Sequence, residues 1–309
     1  MGRKVTVVGG GNVGAQAAFC VAEMEIADVT IIDIVDGLPQ GKGLDMFEGT
    51  PVRGVDCRIS GSNDWADMRG SEVVVVTAGL ARKPGMSRSD LLAKNAEIIG
   101  GIAGQIRTHA PDSFVIVVTN PLDAMTYLMM KKTGFPHKRV MGMAGVLDST
   151  RYRSFIAQEL DVSVMDVQAM VLGGHGDSMV PLTRYANVAG IPVGQLIPKD
   201  RLDAIVKRTR DGGAEIVALL KTGSAYYAPG ESAAQMVEAI LKDRRRILPA
   251  SAYLNGEYGM KDVYIGVPVL LGAGGVERVL EIELLPEEKE ALRVSGDGVA
   301  SLIKELQID

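Results

Sequence analysis

The sequence predicts an α/β protein, with a doubly wound parallel sheet in its first half followed by an α+β domain. Three observations predict it. Short β-branched runs alternate with helical stretches up to about residue 145. Those runs are continuously apolar, as strands covered on both faces must be. Beyond that point the alternation gives way to longer helices mixed with isolated strands. One domain is therefore expected over 1–145 and a second over 146–309. No Gly/Ser or Pro-rich linker separates them, so a broad shared interface is expected.

Val, Ile and Thr crowd the runs 5–8, 29–34, 73–77, 115–119 and 140–143, which read as strands. Between them, 13–25, 40–48, 87–109 and 122–132 read as helices. The helix over 87–109 carries Gly100, Gly101 and Gly104, each costing about 1 kcal/mol against alanine in a helix interior. Either that face packs closely against another backbone, or the segment bends there. In the second half, helices are expected over 149–159, 200–220 and 224–241, and strands over 167–172, 250–254 and 263–269. A last helix over 286–306 opens on Pro286, and Glu287, Glu288 and Glu290 complement the positive end of its dipole.

Composition then narrows the function classes. The 309 residues are 47% hydrophobic and 23% charged, the make-up of a soluble globular protein. Lys+Arg 33 against Asp+Glu 38 leaves a net charge of −5, which argues against a nucleic-acid partner. A small cationic pocket for an acidic substrate stays open. Cys20 and Cys57 cannot form a disulfide framework and point to a reducing, cytoplasmic setting. The histidines are His109, His137 and His175, none at H-E-x-x-H spacing, so no metal site is expected. No apolar run approaches the ~20 residues of a membrane span. Apolar sequence begins at Val5, so no leader is expected either. Met1-Gly2 with Thr6 matches an acylation pattern, but 4–8 reads as a buried strand.

The first strand runs into Gly9-x-Gly11-x-x-Gly14 and then a helix. Gly9 permits the tight turn, Gly11 lets the backbone approach a pyrophosphate, and Gly14 lets helix and strand touch, as in a Rossmann sheet. The helix N-terminus supplies N–H groups and positive dipole. Asp33 ends the next strand, where a carboxylate accepts hydrogen bonds from the adenosine ribose. No Arg or Lys occupies positions 34–36, so NAD is favoured over NADP.

A lone histidine is more often a packed core residue than a catalyst. His175, however, sits in LGGHGD at 172–177, where three glycines are expected to leave the ring uncovered. Upstream, GVLDSTR at 145–151 places Asp148 and Arg151 on one face if helical. An Asp fixing the tautomer of a His, beside an Arg that clamps a carboxylate, makes a sensible acid–base site. Asn120 in VTNPLD follows an apolar strand, and reads equally as a turn residue before Pro121 or as a site residue. LARKPGMSRSD at 80–90 holds Arg82, Lys83 and Arg88 around a Pro-Gly pair. It is either a solvated charge run or a substrate lid.

Taken in order, GGGNVG, Asp33, TAGLARKPGMSR, VTNPLDAMTY, GVLDSTR, GGHGD, KTGSAYYAPG and IGVPVLLGAGG resemble the lactate/malate dehydrogenase family over essentially the whole chain. The resemblance is nearest to its bacterial lactate-dehydrogenase-like malate enzymes. It implies an NAD-dependent oxidation of (S)-malate to oxaloacetate by a cytoplasmic homotetramer or homodimer. By the same resemblance, His175 accepts the hydroxyl proton and Asp148 orients its imidazole. Arg151 clamps the C1 carboxylate, Asn120 touches the reacting oxygen, and Arg88 polarises the carbonyl. Arg82 reads the far end of the substrate, where lactate enzymes have Gln. Coenzyme contacts are implied at Gly9, Gly11, Asn12, Val13, Gly14, Asp33, Asn95, Thr119 and Asn120. Ala225 falls at a position where lactate enzymes usually have Thr, and Gly10 departs from the Ala of many relatives. The rival readings are a lactate or other 2-hydroxy acid dehydrogenase, which Arg82 opposes, and an NAD-sensing protein. The latter has no use for His175, Asp148, Arg151, Arg88 and Arg82 together.

Overall fold

The computed structural model describes residues 2–80 and 88–308, the side chain of Arg88 excepted. The first six strands are β1 (Lys4–Val8), β2 (Asp28–Ile32), β3 (Ile59–Ser62), β4 (Val73–Val76), β5 (Phe114–Val117) and β6 (Val140–Gly142). All pair in parallel, in the order β3-β2-β1-β4-β5-β6. The order reverses between β1 and β4, which opens a crevice at the carboxyl ends of those strands.

Both faces of this sheet are buried, and alternate residues serve different cores. Val5, Val7, Val73 and Val75 face one apolar cluster with Ala17, Ala18 and Val21 of α1 (Asn12–Glu23). Val8, Val74 and Val76 face the other, against α3 (Arg88–His109) and α4 (Leu122–Thr133). The intervening α2 (Leu38–Arg53) packs on β3. That strand was not anticipated, because ISGS carries almost no apolar signal. Its packing explains the omission. A Cβ on Gly43 of α2 would lie 2.7 Å from the Gly61 nitrogen, and one on Gly61 would collide with the Pro39 carbonyl. Helix and strand meet backbone to backbone, so large side chains are excluded.

The close packing expected of the α3 glycines is not found among the described residues. The helix is unbroken from Arg88 to His109, and a Cβ on Gly100, Gly101 or Gly104 meets nothing within 4 Å. Packing among the described residues gives no reason for them.

In the second half, α5 (Gly145–Leu160) starts ahead of the expected 149. The stretch 167–172 is two strands rather than one. β7 (Val167–Gln168) joins β10 (Asn187–Val188) and β11 (Ile191–Pro192), whereas β8 (Val171–Leu172) pairs with β9 (Val180–Pro181). After α6 (Lys199–Leu220) and α7 (Tyr227–Leu241) come β12 (Arg246–Asn255), β13 (Lys261–Gly272) and β14 (Gly275–Val279). These three do not form a separate sheet. β12 pairs antiparallel with β6 at Ser251 and Gly142, extending the parallel sheet to nine strands among the described residues. α8 (Pro286–Glu305) closes the chain against α4 and β13. Among the described residues no helix is long and apolar enough to cross a membrane.

Candidate active site

The crevice begins where β1 turns into α1. Gly9 has φ +106°, and a Cβ there would sit 2.6 Å from the Ala78 nitrogen. A Cβ on Gly14 would collide with the Gly9 carbonyl. Gly11 differs, since a Cβ there meets no protein atom within 4 Å. The chain's own packing therefore demands glycine at 9 and 14 but not at 11, where the open backbone leaves room for a ligand to approach. Gly11 is also the N-cap of α1, and no side chain caps that end. The first-turn N–H groups, which include those of Asn12 and Val13, are thus left for an anion.

Asp33 lies just past β2, beside this turn. Its Oδ2 accepts the Gly10 N–H at 2.6 Å and its Oδ1 accepts the Val35 N–H at 2.9 Å. These bonds fix the carboxylate and leave further lone pairs for hydroxyl donors. An uncapped helix end and a fixed acidic acceptor fit the pyrophosphate and ribose of a dinucleotide.

At the end of β5, Thr119 donates to the Ala78 carbonyl at 2.7 Å, and Asn120 is exposed. Asn95 stands differently. Its side chain is fully buried, and its amide bonds the main chain of Leu80 (2.8 and 3.2 Å) and Asn120 (2.7 Å). It braces the two segments that wall the crevice.

The early start of α5 puts Asp148 in its first turn and Arg151 one turn later. Across from them, His175 Nδ1 lies 2.8 Å from Asp148 Oδ2, leaving Nε2 for a substrate. Arg151 Nη1 lies 3.3 Å from Asp148 Oδ1. Asp148 is 2% exposed, Arg151 12% and His175 16%, so the triplet is nearly dry yet reachable. Burial alone would push the imidazole pKa down, but the Asp148 carboxylate, helped by Asp123 and opposed by Arg151, leaves it above the ordinary histidine value. Burial also pushes Arg151 down, and Asp148 partly restores it. Its Nε is buried with no hydrogen-bond partner among the described residues. A buried cation with an unmet donor is a place for an anion.

The loop that carries His175 is tied down from several elements. Gly173 exchanges main-chain bonds with Gly266 of β13 at 2.8 and 3.2 Å. Gly174 N–H donates to Ser295 of α8 at 2.8 Å, and His175 N–H donates to Asp123 of α4 at 3.0 Å. Two of the three glycines thus serve close packing rather than uncovering the ring, since a Cβ on Gly174 would lie 3.0 Å from Val299 and one on Gly173 3.0 Å from the Ser178 carbonyl. Asp123, Ser251 and Ser295 were not singled out from the sequence. For Asp123 a signal existed, a carboxylate opening the otherwise apolar helix LDAMTYLMM.

A cleft of about 520 Å³ joins the two regions, lined by Val13, Thr119, Asn120, Leu147, Arg151, His175 and Ala225 among others. Arg82 and Lys83 lie outside the described residues, as does the side chain of Arg88, whose main chain opens α3. A turn of dinucleotide-binding form that reaches the cleft at Val13, together with Arg151 and the Asp148-bonded His175 lining it, is an arrangement able to move a hydride and a proton on a small acid.

Comparison with known proteins supports that reading. Residues 3–142 match the family model for the lactate/malate dehydrogenase NAD binding domain, and residues 145–307 that for the alpha/beta C-terminal domain. A malate dehydrogenase of Heliobacterium modesticaldum is 56% identical over 301 residues, covering 97% of each chain. The solved malate dehydrogenase of Salinibacter ruber superposes with a TM-score of 0.95 at 57% identity, covering 98% of this chain and 97% of that one. A lactate dehydrogenase of Cryptosporidium parvum, solved with lactic acid and nicotinamide adenine dinucleotide, superposes at 0.96 with 43% identity over 99% and 98%. Malate and lactate enzymes share this backbone, so side chains must choose the substrate.

Proposed function

This chain belongs to the lactate/malate dehydrogenase family, and from that premise we propose that it is an NAD-dependent malate dehydrogenase interconverting (S)-malate and oxaloacetate. The observation that carries the reading is the buried Arg151, its Nε unpaired among the described residues, lining one cleft with His175, which is hydrogen-bonded to Asp148. Residues 1–145 hold NAD through the turn at Gly9, Gly11 and Gly14, the N-terminus of α1 at Asn12 and Val13, and Asp33. The wall formed by Thr119, Asn120 and the bracing Asn95 completes that site. Residues 146–309 supply the acid–base groups.

Arg151 takes the C1 carboxylate of malate in a charge-assisted fork. Bound NAD supplies the two-electron chemistry, as acceptor of the hydride from C2. His175 Nε2 takes the hydroxyl proton, and Asp148 stabilises the imidazolium that results. Asn120 and Arg88 bond the reacting oxygen, and Arg88 stabilises the negative charge that develops there in the reverse direction. Arg82 pairs with the C4 carboxylate.

The protonation state of His175 gives a pH signature. Oxaloacetate reduction needs the imidazolium, so its kcat/KM is expected to fall as pH rises through the elevated histidine pKa. Malate oxidation needs the neutral ring and is expected to rise over the same window. Initial rates in both directions across pH 5 to 10 test this. Absence of oxaloacetate turnover throughout that range would remove the proposed activity.

Coenzyme choice is a separate expectation. Asp33 repels a 2′-phosphate, so NAD should be strongly preferred. Asp33→Ser combined with Ile34→Arg should move preference toward NADP by at least ~10-fold in the ratio of kcat/KM values. A wild type that uses both coenzymes equally well would count against the role of Asp33.

The reading also includes a cytoplasmic homotetramer or homodimer working on free malate and oxaloacetate, with no nucleic acid or membrane. Exposed Leu44, Phe47 and Val52 on α2 support assembly. The buried, free thiols Cys20 and Cys57 suit a reducing compartment.

A further inference from the structure

Asp123 has no part in the chemistry assigned above, yet it is among the most deeply placed carboxyl groups in the fold, at 5% exposure. It stands in the first turn of α4. Its Oδ2 accepts the His175 main-chain N–H at 3.0 Å, and its Oδ1 accepts the Ser251 hydroxyl of β12 at 2.6 Å. A main-chain N–H can only donate, so Oδ2 must be an unprotonated acceptor. One carboxyl therefore ties the catalytic loop to a helix of the first half and to the strand that joins the halves.

We propose that Asp123 is a positioning residue for the proton transfer, clamping the main chain of His175 and setting a second buried negative charge beside the imidazole. The proposal rests on the malate dehydrogenase reading for the chemistry that His175 performs. The charge argument is one of balance around a dry site. Asp148 and Arg151 of α5 reach His175 from one element, and Asp123 of α4 from another. Asp177 lies in the same loop, and Arg210 and Asp211 of α6 line the same cleft. Ser251 of β12 and Ser295 of α8 complete the surroundings as neutral groups. Arg151 offsets one carboxylate when His175 is neutral. Among the described residues no cationic side chain bonds Asp123, whose partners are the His175 N–H and the Ser251 hydroxyl, so a protonated imidazole offsets its charge and Asp123 favours the acid form needed to reduce a keto acid. Burial, with the Asp148 carboxylate nearby, holds the Asp123 carboxyl above the ordinary range, although the Ser251 hydroxyl, the His175 N–H and the imidazolium act in the opposite direction. The N-terminus of α4 also favours its anion.

Asp123→Asn separates clamp from charge, because the amide oxygen still accepts the His175 N–H. The midpoint of the pH profile of kcat/KM for oxaloacetate is expected to move down by roughly 0.5 to 1 unit. Above the midpoint, that displacement alone makes the variant ~3–10-fold slower. A residue that served packing alone would scale the profile at every pH and leave its midpoint in place. The chain has three histidines, so a histidine-selective NMR titration of the free enzyme reads the same midpoint without turnover. That readout keeps the two proposals apart, because a wild type inactive on oxaloacetate defeats the function yet leaves the His175 titration to be compared. If Asp123→Asn does not accumulate as folded protein, Ser251→Ala takes its place. Ser251 bonds Asp123 and not His175, so a displaced His175 midpoint in that variant reaches the imidazole through Asp123. His175 titrations that overlay the wild type in the folded variant overturn the proposal.

Discussion

The His175→Asn enzyme is expected to lose about three orders of magnitude or more in kcat while binding NADH as tightly as wild type. The asymmetry follows from the architecture. The coenzyme turn at Gly9–Gly14 and Asp33 belongs to the parallel half of the sheet, whereas His175 hangs from a loop held by β13, α8 and α4. An asparagine fills part of the space and can bond Asp148, but it takes no proton. Asp148→Asn should be nearly as damaging, at roughly 10²- to 10⁴-fold, and should leave a second mark. Asp148 is the main group holding the imidazole pKa up against burial. With an amide in its place the pH midpoint for oxaloacetate reduction should drop together with kcat. Stopped-flow turnover and NADH fluorescence titration on the two variants measure both halves of the claim. A kcat within tenfold of wild type in either variant would reject the acid–base assignment.

Arg82→Gln is expected to cut oxaloacetate kcat/KM by roughly two orders of magnitude or more and to raise pyruvate turnover. Malate carries a carboxylate that lactate lacks, and the proposed mechanism commits Arg151 to the common end. A cation facing a methyl group inside a water-poor site is left unpaired, and by that cost Arg82 is expected both to accept malate and to reject lactate. Lys83 is the competing cation; adjacent side chains point apart wherever the backbone is extended, so one of the two is expected to take the carboxylate. Conversion should stop short of a true lactate enzyme, because Ala225 on the cleft wall leaves more room than a methyl group fills. Paired kcat/KM values for oxaloacetate and pyruvate decide it. An unchanged preference would move the role to Lys83 or elsewhere.

What could be read in the residues, and what could not, divides along physical lines. The parallel strands were legible because burial on both faces writes an uninterrupted β-branched run, as in the VVVV of β4. The polar edge strand β3 was illegible because its contact with α2 is made by backbone, which leaves no side-chain pattern. The true start of α5 was missed for a related reason. Gly145 reads as a helix breaker, yet a Cβ there would lie 2.7 Å from Pro249 Cβ and 2.8 Å from the Val171 carbonyl. At the site, Asp148, Arg151 and His175 were each visible in short motifs, but their meeting depends on long-range folding. Asp123 escaped notice because its partners are a main-chain N–H and a serine on a strand far along the chain. Single-sequence patterns report faces and turns; they do not report which buried polar groups find one another.

The junction of β6 with β12 carries a consequence for how this chain can be divided. The register places Gly142 opposite Ser251, and α5 begins only three residues after Gly142. A cut at that point would leave β6 as one bare sheet edge and β12 as another, each offering a row of unpaired amides and carbonyls. Such edges template pairing with whatever strand comes next, another copy included. Neither half is therefore expected to stay soluble when expressed by itself. The two regions that a sequence reader separates by their pattern of strands and helices are, as folding matter, one continuous fabric.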